Sequence, residues 1–309
     1  MQMKTVLCPA KAAVWTFAFV LCGATPLAAN SILGSATGFV VLGAATVTQT
    51  GPTTLNGDLG VYPGSSITGA SNITFIGAST IHNTPPGLDP LSHQAQLDQT
   101  NAFNILAALP FTTDLTGHDL GTSGTLPIGT LTPGIYRFSS TAQLNGTLTL
   151  DAQNNPDAVF IFQIGTALTT ASASSVHVIN GDASLSLFWL MGVTGGSGTG
   201  SATLGTTTSF AGNILALDSI TLTTGAQILC GRAFAQNAAV TMDTNALSND
   251  CATFDNGTGR TDFGSLGFSG GANSGGLADF VPEPSTLSLF GGALLLFLAR
   301  VKYRASRTA

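Results

Sequence analysis

The chain offers few side chains with which to do chemistry, and their spacing narrows the options further. Its four histidines are His82, His93, His118 and His177. None forms a His-x-x-x-His pair or joins a cysteine at the spacing a zinc site needs. His118-Asp119 is the one adjacent His–carboxylate pair, and it reads as a solvated loop rather than a ligand set. No metal and no cofactor is expected. The single Glu is Glu283, near the C-terminus, so acid–base work on a glycosidic bond would need two converging Asp carboxylates. Asp114, Asp151 and Asp182 are the candidates. Asp residues here, however, occupy turn contexts such as Asn56-Gly57-Asp58 and Asn180-Gly181-Asp182, where backbone hydrogen bonds explain them. Gly267-Phe268-Ser269-Gly270-Gly271 has the letters of a nucleophile elbow but lies in a glycine-rich stretch, without the strand and helix that the mechanism requires. Gly192, Gly195, Gly196, Gly198 and Gly200 lack the Lys of a phosphate loop. No catalytic residue is assigned and no enzyme is expected.

What the chain holds in quantity is hydroxyl. Thr occurs 43 times in 309 residues, while charged residues make up only 8%, against about a quarter in ordinary globular proteins. Between Asn30 and Phe280 the basic residues are Arg137, Arg232 and Arg260, set against fourteen Asp, a formal charge of −11. Nucleic-acid binding is excluded, because it needs basic groups to displace counterions from phosphates. A polyphosphate site is excluded for the same reason. The whole chain is nevertheless 44% hydrophobic, enough to build a core rather than remain disordered. Its surface must therefore be small, hydroxylated and largely uncharged.

The elements that carry such a surface are short strands. Phe39-Val40-Val41-Leu42, Ile135-Tyr136-Arg137-Phe138, Thr147-Leu148-Thr149-Leu150, Val159-Phe160-Ile161-Phe162 and Val176-His177-Val178-Ile179 are separated by Gly, Asn and Pro. A spacing near 19 residues relates Phe210 to Ile228, Gly212–Ala216 to Gly231–Ala235, and Ile220-Thr221-Leu222 to Val240-Thr241-Met242. That spacing suits one turn of a β-solenoid. Stacked turns lie about 4.8 Å apart, where repeated charges would repel and Thr packs well. One segment differs: Leu91, Ala95, Leu97, Asp98, Ala102, Ile105, Leu106 and Leu109 give a helical stripe over Pro90 to Leu109. Asp89 is its expected cap and Pro90 its first residue. The expected fold is all-β, a solenoid with one long helix along its side.

The ends read as addresses. Residues 1–29 look like a secretory signal peptide, with Lys4 and Lys11 before an apolar stretch and small residues toward Ala29. An uncleaved anchor and a lipoprotein cut at Cys22 are the weaker alternatives. Residues 250–280 are a Gly-rich linker. In residues 281–309, Pro282-Glu283-Pro284 precedes the apolar run Leu287 to Ala299 and the basic cluster Arg300, Lys302 and Arg304. This tripartite tail, with its short transmembrane segment, resembles the PEP-CTERM sorting signal of Gram-negative bacteria. The resemblance implies an exosortase partner and a secreted or cell-surface location. Cys230 and Cys251 remain after signal removal, as a bridge closing a loop of about 20 residues or as two core thiols.

Residues 30–249 carry a second resemblance. Leu33-Gly34-Ser35-Ala36, Thr50-Gly51-Pro52-Thr53-Thr54-Leu55-Asn56-Gly57-Asp58, Leu131-Thr132-Pro133-Gly134-Ile135-Tyr136, Ala158–Gly165, Phe210–Ala216 and Gly231-Arg232-Ala233 stand in order. Together they resemble the ice-binding protein family. The resemblance implies a right-handed β-helix of triangular section, coils joined out of sequence order, and a flat face with Thr-(Ala/Gly)-x-(Thr/Asn) motifs. Thr50-Gly51-Pro52-Thr53 and Thr166-Ala167-Leu168-Thr169 match; Thr68-Gly69-Ala70-Ser71 and Thr224-Gly225-Ala226-Gln227 nearly match. The candidate ice-contact residues are Thr50, Thr53, Thr166, Thr169, Thr203, Thr206, Thr208, Thr221, Thr223 and Thr224. The expected partner is an ice surface, met by a monomer; the alternative is adhesion or matrix structure on the same scaffold, with the extracellular matrix as partner.

Overall fold

The computed structural model describes residues 31–84, 89–155, 158–181, 185–193 and 200–249. The chain winds into stacked three-sided coils whose strands pair in parallel. One side forms a seven-stranded sheet in the order Ala142–Leu144, Leu168–Thr170, Ala202–Leu204, Ile220–Leu222, Val240–Met242, Thr46–Gln49 and Ser66–Thr68. The other two sides merge into a 15-stranded sheet, because Ser209–Ala216 and Gln227–Ala235 each bend around a corner and serve both. The 19-residue echo is the coil-to-coil register itself: Phe210 pairs with Ile228, Gly212 with Gly231, and Ile220 with Val240. At the bend, Gly212 and Gly231 both have positive φ, and a Cβ on Gly231 would lie 2.0 Å from the Gly212 carbonyl oxygen. Only glycine fits that corner.

Strand alternation fills the inside of each coil. Leu148 and Leu150 of Thr147–Asp151 point inward and their neighbours outward, the period-2 pattern of a half-buried strand. Aromatic rings stack down the axis from Tyr136 to Phe162, Trp189 and Phe210, with centroids 5.4, 3.9 and 4.9 Å apart. The buried Trp189 Nε1–H donates to Ala211 O at 2.9 Å, so the ladder leaves its polar atom satisfied.

The coils are indeed joined out of order. Phe39–Gly43 pairs with Gln227–Ala235 on one side and with Asp58–Val61 on the other, so the first coils close one end next to the last coil. The chain then returns to the far end through the helix Pro90–Ala107. Arg232, 1% exposed, ties this splice: its Nη2 donates to Thr37 O at 2.8 Å and its Nη1 to Asn213 Oδ1 at 2.9 Å.

The helix is capped as its sequence predicts, with the Asp89 carboxylate accepting from Leu91 N and Ser92 N, each at 3.1 Å. Its buried stripe, however, is Ser92, Ala95, Gln96, Gln99, Ala102, Phe103 and Leu106. The expected Leu91 and Leu97 are 39% and 51% exposed. The i, i+3, i+4, i+7 period from Ser92 selects the observed face, and hydrogen bonding lets glutamines stand where leucines were expected. Gln96 Nε2 donates to Ala235 O at 3.2 Å, and Gln99 donates to Gln96. From the sheet, Gln163 Nε2 donates to Leu106 O at 3.0 Å and Leu109 O at 2.8 Å, closing the helix C-terminus.

The signal, linker and sorting segments, with Pro282, Glu283, Pro284 and Asp182, lie outside the described residues. Cys230 is disulfide-bonded, and its expected partner Cys251 also lies outside them. Among the described residues no helix is long and apolar enough to cross a membrane.

Candidate functional site

The three sides of the coil are finished differently. On the first, outward residues run in register as Gln163, Leu190, Leu215, Phe234 and Leu42. The helix lies over them and buries a second apolar cluster that includes Ala95, Ala102, Phe103 and Leu106. On the second, an outward rank of Ser175, Ser209, Gln227, Ala246, Thr54 and Thr74 stands in register. That side is uneven, with the exposed His177 and Ile179 beside the rank.

The seven-stranded side is different. One outward residue of each strand stands in paired register with the next, in the order Gln143, Thr169, Thr203, Thr221, Thr241, Thr48 and Thr68. Six threonines therefore form one unbroken rank. Residues that flank them along the strands point inward; Leu168, Ile220, Val240 and Val47 are fully buried and Ile67 is half-buried. A neighbouring outward rank contains Ser201, Ser219, Ala239, Thr46 and Ser66, all small. Neither rank contains a charged residue. Stacked strands hold the threonines about 4.8 Å apart along the axis. β-Branching restricts each χ1, so methyl and hydroxyl are presented with little side-chain freedom left to lose.

The sequence candidates divide on this map. Thr169, Thr203 and Thr221 belong to the central rank. Thr50, Thr206, Thr223 and Thr224 lie toward the corner where this side meets the Ser/Gln side. Thr206 and Thr223 hydroxyls approach to 3.5 Å there. Thr166 sits at the opposite corner, where its N–H donates to Ser140 O at 3.0 Å. Thr53 and Thr208 are corrections: they are 1% and 0% exposed and cannot touch a surface ligand. Thr53 Oγ1 accepts from Asn245 N at 2.9 Å, and Thr208 Oγ1 lies 2.8 Å from Thr170 Oγ1. Both satisfy backbone and side-chain groups inside the corner. A four-residue motif that begins on one side and ends past the bend turns its last Thr inward.

Thr48 and Thr241 are not among the sequence candidates, and Thr68 enters only as the start of the near match Thr68-Gly69-Ala70-Ser71. The signal for Thr241 lay in the echo of Ile220-Thr221-Leu222 by Val240-Thr241-Met242, which puts the two threonines in one rank. Thr48 needed the out-of-order splice, which no sequence-local spacing reveals.

Of the carboxylates considered for catalysis, Asp114 and Asp151 serve turns. Asp114 accepts from Thr116 Oγ1 and N, and those donors hold its carboxyl below the usual carboxylate range. Asp151 is held low in the same way by Asn180 and by the Gln153 N–H. At Asp89, burial pushes the carboxyl up, but Ser92 N–H, the Thr84 hydroxyl, His82 and Leu91 N–H together bring it below its usual value. Asp119 departs from the solvated loop expected for His118-Asp119. It is 3% exposed and accepts from Gly121 N and Asn145 N, each at 2.9 Å. Among the described residues no group of three His, Cys, Asp or Glu could hold a metal ion.

The family model described as ice-binding-like matches residues 41–248, which span all three sides of the coil. The chain belongs to this family. An ice-binding protein of Nostoc sp. (strain HG1) is 47% identical over 280 residues, covering 90% of this chain and 89% of the relative. Among solved structures, an ice-binding protein from an Antarctic biological consortium is 35% identical with a TM-score of 0.60, covering 79% of this chain and 96% of that one. One from the ascomycete Antarctomyces psychrotrophicus is 34% identical with a TM-score of 0.59, covering 71% and 98%. The ice-binding-like fold thus accounts for the helix and the three-sided coil.

Proposed function

We propose that this protein adsorbs to ice through the seven-stranded side bearing Thr169, Thr203, Thr221, Thr241, Thr48 and Thr68. The observation that carries the reading is their unbroken register on a sheet side whose two outward ranks hold no charged residue. The family and the 47% identity to a relative named as an ice-binding protein support it. A rank of fixed methyls and hydroxyls orders water at a constant spacing, so that a hydration layer already resembles the surface it joins. Because the side chains are stiff before contact, little entropy is lost on adsorption. The absence of Lys, Arg and Asp from the two ranks removes groups that would hold water in competing orientations.

The acting form, on this reading, is an exported monomer. Residues 1–29 direct secretion, and an exosortase acts at Pro282-Glu283-Pro284, leaving the body at the outer surface or in the medium of a Gram-negative cell. Cys230 pairs with Cys251 in that oxidising compartment. The test is growth of single ice crystals in the purified protein. Faceted crystals and a measurable thermal hysteresis gap are expected; unshaped discs with no gap would refute the reading. Loss of cell aggregation on gene deletion, with freezing unchanged, would put surface attachment in its place.

A further inference from the structure

One residue beside the central rank is charged. Met242 pairs with Gln49 on one side and Leu222 on the other, so the next residue, Asp243, stands between Thr50 and Thr223. The backbone ladder continues that far, with Thr50 N–H donating to Met242 O and Thr223 N–H to Leu204 O, each at 3.1 Å. A free carboxylate there would hold its own hydration water on a side otherwise made of hydroxyls and methyls. This one is occupied. Asp243 Oδ2 accepts from Thr224 Oγ1 at 2.5 Å, and Oδ1 accepts from Thr244 Oγ1 at 3.1 Å. The Thr50 hydroxyl also reaches it. The glycine of Thr50-Gly51-Pro52-Thr53 fits the same arrangement. A Cβ at Gly51 would lie 2.1 Å from Thr244 Oγ1 and 2.7 Å from Asp243 Oδ1. No ion pair involves Asp243 among the described residues; hydroxyls are what face it.

We propose that Asp243 is a positioning residue of the threonine side: its carboxylate accepts hydrogen bonds from the hydroxyls of Thr224 and Thr244, fixing both hydroxyl oxygens as acceptors toward the surface. A Thr hydroxyl left alone rotates to suit its neighbours. Tied to a carboxylate, it is set in one orientation before ice arrives, and the rigid edge of the contact side extends from the central rank to the corner. This inference rests on the ice-adsorption reading. The donors also hold the Asp243 carboxyl below the usual carboxylate range, with Thr224 the largest cause.

The experiment compares thermal hysteresis and melting temperature of the full chain with those of Asp243→Ala and Asp243→Asn, from neutral pH into acid. Asp243→Ala removes both acceptors and is expected to lower hysteresis about threefold at neutral pH, while melting near the wild-type temperature. Asp243→Asn keeps one acceptor oxygen and falls between the two. Wild-type hysteresis stays level down to the carboxylate range and drops below it while the protein remains folded; that of Asp243→Asn is level throughout. Should the Ala variant fail to fold, the Asn variant and the wild-type profile decide. Unchanged hysteresis in the folded Ala variant, or parallel acid profiles for wild type and Asn, would overturn the proposal. A wild type with no hysteresis at any pH would instead overturn the ice-adsorption reading on which it depends.

Discussion

Two sides of the same coils carry matched ranks with opposite finishes. Gln163, Leu190, Leu215, Phe234 and Leu42 stand in register on one; Thr169, Thr203, Thr221, Thr241 and Thr48 stand in register on the other, coil for coil. In three coils the two residues are six positions apart: Gln163 and Thr169, Leu215 and Thr221, Leu42 and Thr48. Backbone geometry is shared, so the outward residue decides the outcome. Large apolar residues recruit the helix and become a second core. Among the described residues no helix lies over the threonine rank. The helix thus marks which side is structural, and the bare rank is the side to which the proposed ice contact is assigned.

Substitutions on each side should separate stability from ice activity. The largest effect is expected from Phe234→Ala beneath the helix, which empties a fully buried site. It should cost about 3–5 kcal/mol in chemical denaturation, while hysteresis per folded molecule stays unchanged. Next comes Thr221→Tyr at the middle of the bare rank. A ring there props the surface away from its neighbours, and about a tenfold loss of hysteresis is expected with an unshifted melting temperature. A melting shift without loss of hysteresis would exchange the roles assigned to the two sides. Asp89→Ala removes the cap of the covering helix and should cost about 1 kcal/mol, read by helix hydrogen exchange. The smallest effect concerns acid. The carboxyls of Asp114, Asp151 and Asp243 are lowered by their donors, so their stabilisation is complete above the ordinary carboxylate range and is lost as pH falls through the lowered values. Melting temperature should stay flat from neutral pH to that range and then decline, with a smaller decline in Asp151→Asn.

The scaffold was readable because its cause repeats along the sequence. Inward Leu, Ile and Val alternate with outward Thr, and the echo of Phe210 by Ile228 gives the pairing directly. The helix was readable from Asp89 and Pro90, though not its buried stripe. Gln96 and Gln99 are buried with their amide N–H groups donating to Ala235 O and to Gln96 Oε1, a tertiary circumstance that periodicity cannot report. The contact side was half readable. Thr203 and Thr221 lie in coils that follow one another in sequence. Thr48 and Thr68 join the same rank only because the first coils dock against the last one. Thr53, which ends a motif, and Thr208, which ends a run of threonines, show the converse error, since the corner turns both inward.

The coil that contains Thr203 also contains Ser209, one on the bare threonine rank and the other exposed on the Ser/Gln side. Thermal hysteresis of Thr203→Tyr beside Ser209→Tyr therefore tests which side meets ice, with coil, substitution and added bulk held constant. Most of the activity should disappear from Thr203→Tyr and be retained by Ser209→Tyr, both folded. Retained activity in Thr203→Tyr, or its loss from Ser209→Tyr alone, would contradict the assignment of the threonine rank as the ice-contact surface.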